Sequence, residues 1–125
     1  MLPRVNRLTT GAGFRLAIRD GRRAGARTLV VHLSRHAWDQ PPTVGLVVSR
    51  AVGSAVVRNR VKRRIRHLVA ARLTDLPAGA VLVVRALPAA ASASSSQLSS
   101  DLDRCLERCL AAGPDRGERP AGATS

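Results

Sequence analysis

Apolar residues along this chain follow two rhythms: short runs of branched residues suited to strands, and a three-to-four-residue spacing suited to helices. Residues 9 to 19, TTGAGFRLAIR, carry the helical spacing, with Thr9 or Thr10 as N-cap and Phe14, Leu16 or Ala17, and Ile18 as the stripe. The Gly- and Arg-rich DGRRAGAR, residues 20 to 27, ends that helix. RTLVVHL, residues 27 to 33, reads as a strand, and SRHAWDQPP, residues 34 to 42, as a loop that Pro41 and Pro42 keep from continuing it. TVGLVVS, residues 43 to 49, is a second strand. Gly53 and Ser54 then form a turn and an N-cap for a helix over residues 55 to 73. LPAGA is a turn, VLVVRAL (residues 81 to 87) a third strand, and PAAASASSS a low-complexity connector. The last helix, residues 96 to 111, places Leu98, Leu102, Cys105, Leu106, Cys109 and Leu110 on one face. Its first turns carry Asp101 and Asp103, acids favourable near a helix N-terminus.

This order predicts an α/β (α+β) two-layer sandwich, one small sheet with helices against it, in a single domain over residues 1 to 112. Residues 113 to 125, GPDRGERPAGATS, read as a disordered tail.

Within the helix of residues 55 to 73, Val57, Val61, Ile65, Leu68 and Val69 share one face. Asn59, Arg60, Lys62, Arg63, Arg66 and His67 cover the remainder, with Arg58 and Arg64 at the borders. Border arginines can lay their aliphatic stems on apolar surface while their guanidinium groups reach outward. The exposed face therefore carries one sign of charge.

Composition sharpens that feature. Of 125 residues, 21 are Lys or Arg and 8 are Asp or Glu, a net charge of +13. Lys62 is the sole lysine, and no acid occurs from Gln40 through Thr74. The i,i+4 carboxylates that usually offset helix cations are thus missing, so an external polyanion must supply the countercharge. A membrane-surface helix would show bulky Trp, Phe or Leu on its apolar face, whereas Val and Ile suit packing on a sheet. No helix-turn-helix or dimeric arrangement for reading a DNA groove is evident. A rigid cationic surface suits folded RNA, recognised by shape and phosphates.

The stretch VGLVVSRAVGSAVVRNRVKRRIRHLV resembles the signature region of the bacterial ribonuclease P protein component, with its core at Arg58, Asn59 and Arg60 followed by Lys62 and Arg63. Asn6 to Leu8, Phe14 followed by Gly21, and VLVVRALP match in consistent order. The resemblance implies a subunit of the ribonucleoprotein that removes the 5′ leader of precursor tRNA, an endoribonuclease whose hydrolytic site lies in the RNA. It implies partners in the catalytic RNA and precursor tRNA, and a left-handed crossover around the basic helix, against the usual right-handed rule. It assigns RNA binding to Arg58, Asn59, Arg60, Lys62, Arg63, Arg64 and Arg66, and a leader cleft to Phe14, Ile18, His32, Ser49 and Arg50. Ile18 stands where the family often has a second aromatic, and His32 where Tyr is common. Ala51 and Ser54 replace a frequent basic residue and a frequent Asn. Stacking of leader bases thus rests on Phe14. Magnesium is expected in the holoenzyme, held mainly by RNA, with none bound by the protein itself.

Independent nuclease chemistry would need clustered carboxylates to hold metal ions. The eight acids are scattered, so no catalytic or metal residue is assigned in this chain. Cys105 and Cys109 could form half a metal site, but nothing in the sequence completes it and packing is the preferred reading. No signal segment, bilayer-spanning run or protein partner is evident, which predicts a cytoplasmic protein. The competing functional class is a ribosomal or other structural RNA-binding protein.

Overall fold

The computed structural model of the protein describes residues 21–35 and 41–111. Four strands, β1 (Arg22–Gly25), β2 (Leu29–Arg35), β3 (Thr43–Val47) and β4 (Ala80–Ala86), form one sheet in the order β1-β2-β4-β3. β2 runs antiparallel to both β1 and β4, whereas β3 and β4 are parallel. A parallel pair needs a long connection, and helix α1 (Ala55–Ala70) fills it. Helix α2 (Ser95–Ala111) follows β4.

Strand alternation gives the sheet two faces. On one, Leu29, Val31 and Leu33 of β2, Leu82 and Val84 of β4, and Val44 of β3 form a continuous core with the helices. α1 contributes Val61, Ile65 and Val69, and α2 contributes Leu98, Leu102, Cys105, Leu106 and Cys109. This core is wholly aliphatic and sulfur-lined. Each fully buried Val, Leu or Ile contributes about 1.5–3 kcal/mol from removal of apolar surface from water. The other face carries Val30, His32, Ser34 and Val83, which are buried as well.

The predicted two-layer α+β architecture matches what is observed, with differences that have local causes. β1 occupies the DGRRAGAR stretch expected only to end a helix. Its Arg-Arg-Ala-Gly has little strand propensity, and pairing with β2 along the edge supplies what propensity does not. β2 starts at Leu29 and runs on through Ser34 and Arg35, expected as loop, because these residues pair with Val81 and Ala80. β3 ends at Val47, two residues early, because Ser49 caps a short 3-10 turn at Arg50–Val52. α1 ends at Ala70 rather than at residue 73, and Leu73–Asp75 forms another 3-10 turn.

The low-complexity connector is also ordered, with Pro88–Ala91 in a 3-10 turn and Ala90 and Ala93 buried. α2 begins at Ser95, and Asp101 and Asp103 lie past its first turn. Its N-terminus is instead closed by Ser94 and Gln97, whose side chains each accept the other's backbone N–H, at 3.1 and 2.9 Å. Asp101 accepts from the Thr28 hydroxyl at 2.7 Å, and Asp103 pairs with Arg72. The predicted helix of residues 9 to 19, with Phe14 and Ile18, and the tail of residues 113 to 125 lie outside the described residues.

Candidate nucleic-acid interface

α1 is launched from the end of β3 by Gly53 and Ser54. Gly53 adopts φ 153°, and a Cβ there would sit 3.0 Å from Val57 Cγ1, so no larger residue fits without displacement. Ser54 accepts the Val57 N–H on its hydroxyl, and its carbonyl accepts from Arg58 N at 2.8 Å. From that start, Val61, Ile65 and Val69 fall on the core side every fourth residue and are fully buried. Val57 and Leu68 pack partly buried against them.

The polar residues follow by exclusion. Asn59, Arg60, Arg63 and His67 are exposed, and Lys62 and Arg66 are half-buried beside them. Arg58 and Arg64 hold the borders: Arg58 Nε donates to the Gly53 carbonyl at 3.2 Å, and Arg64 Nη1 donates to the Ala93 carbonyl at 3.3 Å. The seven residues assigned to RNA binding are therefore brought together on one helix, five facing outward and two tied back at its margins.

Among the described residues no acid offsets the charge on this surface. Among the described residues the ion pairs are Arg72–Asp103 and Arg104–Asp101, and neither touches α1. The first turn of α1 holds no acid, so the positive end of the helix dipole adds to the arginines. Arg72, two residues past the end of the helix, belongs to a different arrangement. Its guanidinium donates to the Leu68 carbonyl and the Ser99 hydroxyl, each at 2.6 Å, and pairs with Asp103, locking the end of α1 to α2.

The residues assigned to a leader cleft are placed separately. Ser49 and Arg50 are exposed in the turn between β3 and α1, and the Ser49 hydroxyl accepts the Ala51 N–H at 3.3 Å. His32 lies in β2 on the face turned away from the two described helices, 2% exposed, and neither ring nitrogen has a hydrogen-bond partner. Burial first, then the charges of Arg85 and Arg23, push its pKa below the ordinary value of 6.5, so the ring is neutral near pH 7. Arg23 sits directly opposite His32 across β1–β2, and Arg85 opposite Val30 across β2–β4. Neither arginine was singled out in the sequence. Arg85 could have been, as the one charged position inside VLVVRAL.

No three His, Cys, Asp or Glu side chains converge to hold a metal ion among the described residues. The acids that approach one another's elements are already engaged, Asp101 by Thr28 and Asp103 by Arg72. The described residues thus do not fit a magnesium site. Cys105 and Cys109 are buried in the core, and burial, then the neighbouring Cys105, pushes the Cys109 thiol up to about 11.

Comparison with known proteins bears on this geometry. The family model described as Ribonuclease P matches residues 2–110. A ribonuclease P protein component from a Nocardioides species is 62% identical over 96 residues, spanning 75% of this chain and 82% of the relative. That of Streptomyces bikiniensis is 56% identical over 101 residues, 74% of this chain and 82% of its own. Among solved structures, the Staphylococcus aureus RNase P protein superposes with a TM-score of 0.76 at 25% identity, covering 84% of this chain and 95% of that one. The RNase P protein from Thermotoga maritima shares the fold, with a TM-score of 0.71 at 24% identity over 82% of this chain and 96% of its own.

Proposed function

Since the chain belongs to the ribonuclease P protein family, and is thus the protein component of an endoribonuclease that associates with ribonuclease P RNA, we propose that the outer face of α1 is where it meets that RNA. Asn59, Arg60, Lys62, Arg63 and Arg66 contact phosphates and riboses, while Arg58 and Arg64 support both margins. The observation that carries this reading is the row of six cations on α1 with no carboxylate partner among the described residues. Arginine suits the task because its fork can contact a phosphate through two parallel hydrogen bonds. The amide of Asn59 adds an acceptor beside the donors, which can engage a ribose hydroxyl.

The second part of the proposal concerns substrate. The 5′ leader of precursor tRNA passes the exposed Ser49 and Arg50 beside α1, and the family resemblance adds Phe14, Ile18 and the buried His32 to the lining of that cleft. Hydrolysis takes place on the RNA partner, where phosphates hold the magnesium ions, and the protein binds and aligns. The relatives do not favour a ribosomal or purely structural role.

Cleavage of precursor tRNA by a bacterial ribonuclease P RNA at low magnesium, with and without the protein, tests this directly. The protein should restore 5′ processing under conditions where the RNA alone is slow. Binding titrations refine the assignment: with about five phosphates contacted, log Kd should vary with log salt with a slope magnitude of roughly 3–5. The double variant Arg60→Ala, Arg63→Ala should bind more weakly and flatten that slope by roughly 1.5–2. Unchanged affinity and slope would remove α1 from the interface.

A further inference from the structure

Among the described residues one large hydrophobic side chain is exposed: Val56, at 74%. It lies in the first turn of α1, one turn before Asn59 and Arg60 and two before Arg63. Nothing among the described residues accounts for it. The core seam of Val61, Ile65 and Val69 occupies the opposite side of the helix. Valine is also a mediocre helix former, because the preceding turn restricts its χ1. Alanine, arginine or lysine would serve the isolated helix better at an exposed position.

The surroundings of Val56 indicate what covers it. Ala55, which adjoins it in the sequence, and Ala51, five residues before it, are both exposed, as are Arg50, Asn59, Arg60 and Arg63 on either side. An apolar centre inside a polar, charged rim is the layout of a binding interface. The rim selects the partner: among the described residues its cations have no offsetting acid nearby, so the complementary surface is anionic. We propose that Val56 is an apolar contact of the RNA interface, seated against ribose and base-edge surface in the shallow minor groove of the ribonuclease P RNA. A branched aliphatic stub cannot stack as an aromatic ring does, but it fits against sugar C–H surface, which that groove displays. This rests on the reading that α1 faces RNA, and it adds a contact of a different physical kind.

The difference is measurable. Phosphate contacts release counterions, so their loss changes the salt slope, whereas an apolar contact releases none. Val56→Ala should therefore weaken binding to ribonuclease P RNA about three- to tenfold at every salt concentration, leaving the slope as in the parent protein. Val56→Thr, which keeps the shape but replaces a methyl with a hydroxyl, should fall in between. Thermal unfolding of the free Val56→Ala protein should show equal or higher stability, since alanine is the better helix former. Affinity and stability then move in opposite directions, which a folding defect cannot produce.

If Val56→Ala binds RNA as tightly as the parent while Arg60→Ala, Arg63→Ala binds more weakly, the inference about Val56 fails and the RNA-facing reading of α1 stands. If neither variant alters RNA binding, the reading of α1 fails with it. A Val56→Ala variant with parental RNA affinity but altered self-association by sedimentation would place Val56 in a protein–protein contact and overturn the inference. A parallel loss of affinity and of salt slope would overturn it too, because Val56 would then act only by positioning the arginines.

Discussion

His32 shows how much one residue's setting depends on its neighbours across strands. The sequence presents an imidazole in an apolar run, and the family resemblance implies a cleft position. The structure adds complete burial, two unpartnered ring nitrogens, and arginines on both adjoining strands. A folded-state pKa below 6.5 means that the unfolded chain binds the proton more readily. His32 therefore costs no stability above pH 6.5, and stability falls as the pH drops below that value. His32→Leu should remove this component, so that the difference in Tm between variant and parent widens between about pH 6.5 and 5. Parallel Tm profiles across that range would show that His32 does not ionise against the fold. The pairing of His32 with Arg23 and Arg85 was illegible beforehand, because it is created by strand register and not by spacing along the chain.

At the scale of elements, α1 was almost fully legible. Its cap at Ser54, its seam of Val61, Ile65 and Val69, its cationic outer face and its border arginines all follow from helical periodicity. What periodicity missed is where the helix stops. Arg72, inside the predicted span of residues 55 to 73, lies past the end of the helix, turns inward to Leu68, Ser99 and Asp103, and keeps Asp103 below the usual carboxylate range. Arg72→Ala should therefore destabilise the protein by about 1–2 kcal/mol in urea unfolding, through lost hydrogen bonds to partly buried acceptors. The same variant should bind RNA with parental affinity and salt slope, the reverse of Arg60→Ala, Arg63→Ala. A loss of slope in Arg72→Ala would return that residue to the ridge. β1 is the opposite case: four residues with little strand propensity become a strand because β2 offers an unpaired edge.

For the whole molecule, a net charge of +13 on 125 residues makes the free protein self-repelling. Screening should relieve that repulsion, so raising salt from about 50 to about 300 mM should raise the Tm of the free protein while weakening its hold on RNA. A Tm that falls over the same range would mean that internal ion pairs outweigh the repulsion. If the proposed ridge binds RNA, RNA should stabilise the chain further by mass action, because a ligand that prefers the folded state shifts the equilibrium toward it.

The sequence by itself determined the sandwich of sheet and helices and the cationic outer face of α1, because hydrophobic periodicity and charge sign are local properties that the chain carries in order. Only the tertiary structure decided that β1 is a strand, that Asp101 and Asp103 tie elements together, that Arg72 faces inward, and that Arg23 and Arg85 flank His32. Each of those depends on which residues meet across strands or between helices. Such encounters are set by register and packing, which no single stretch of sequence encodes.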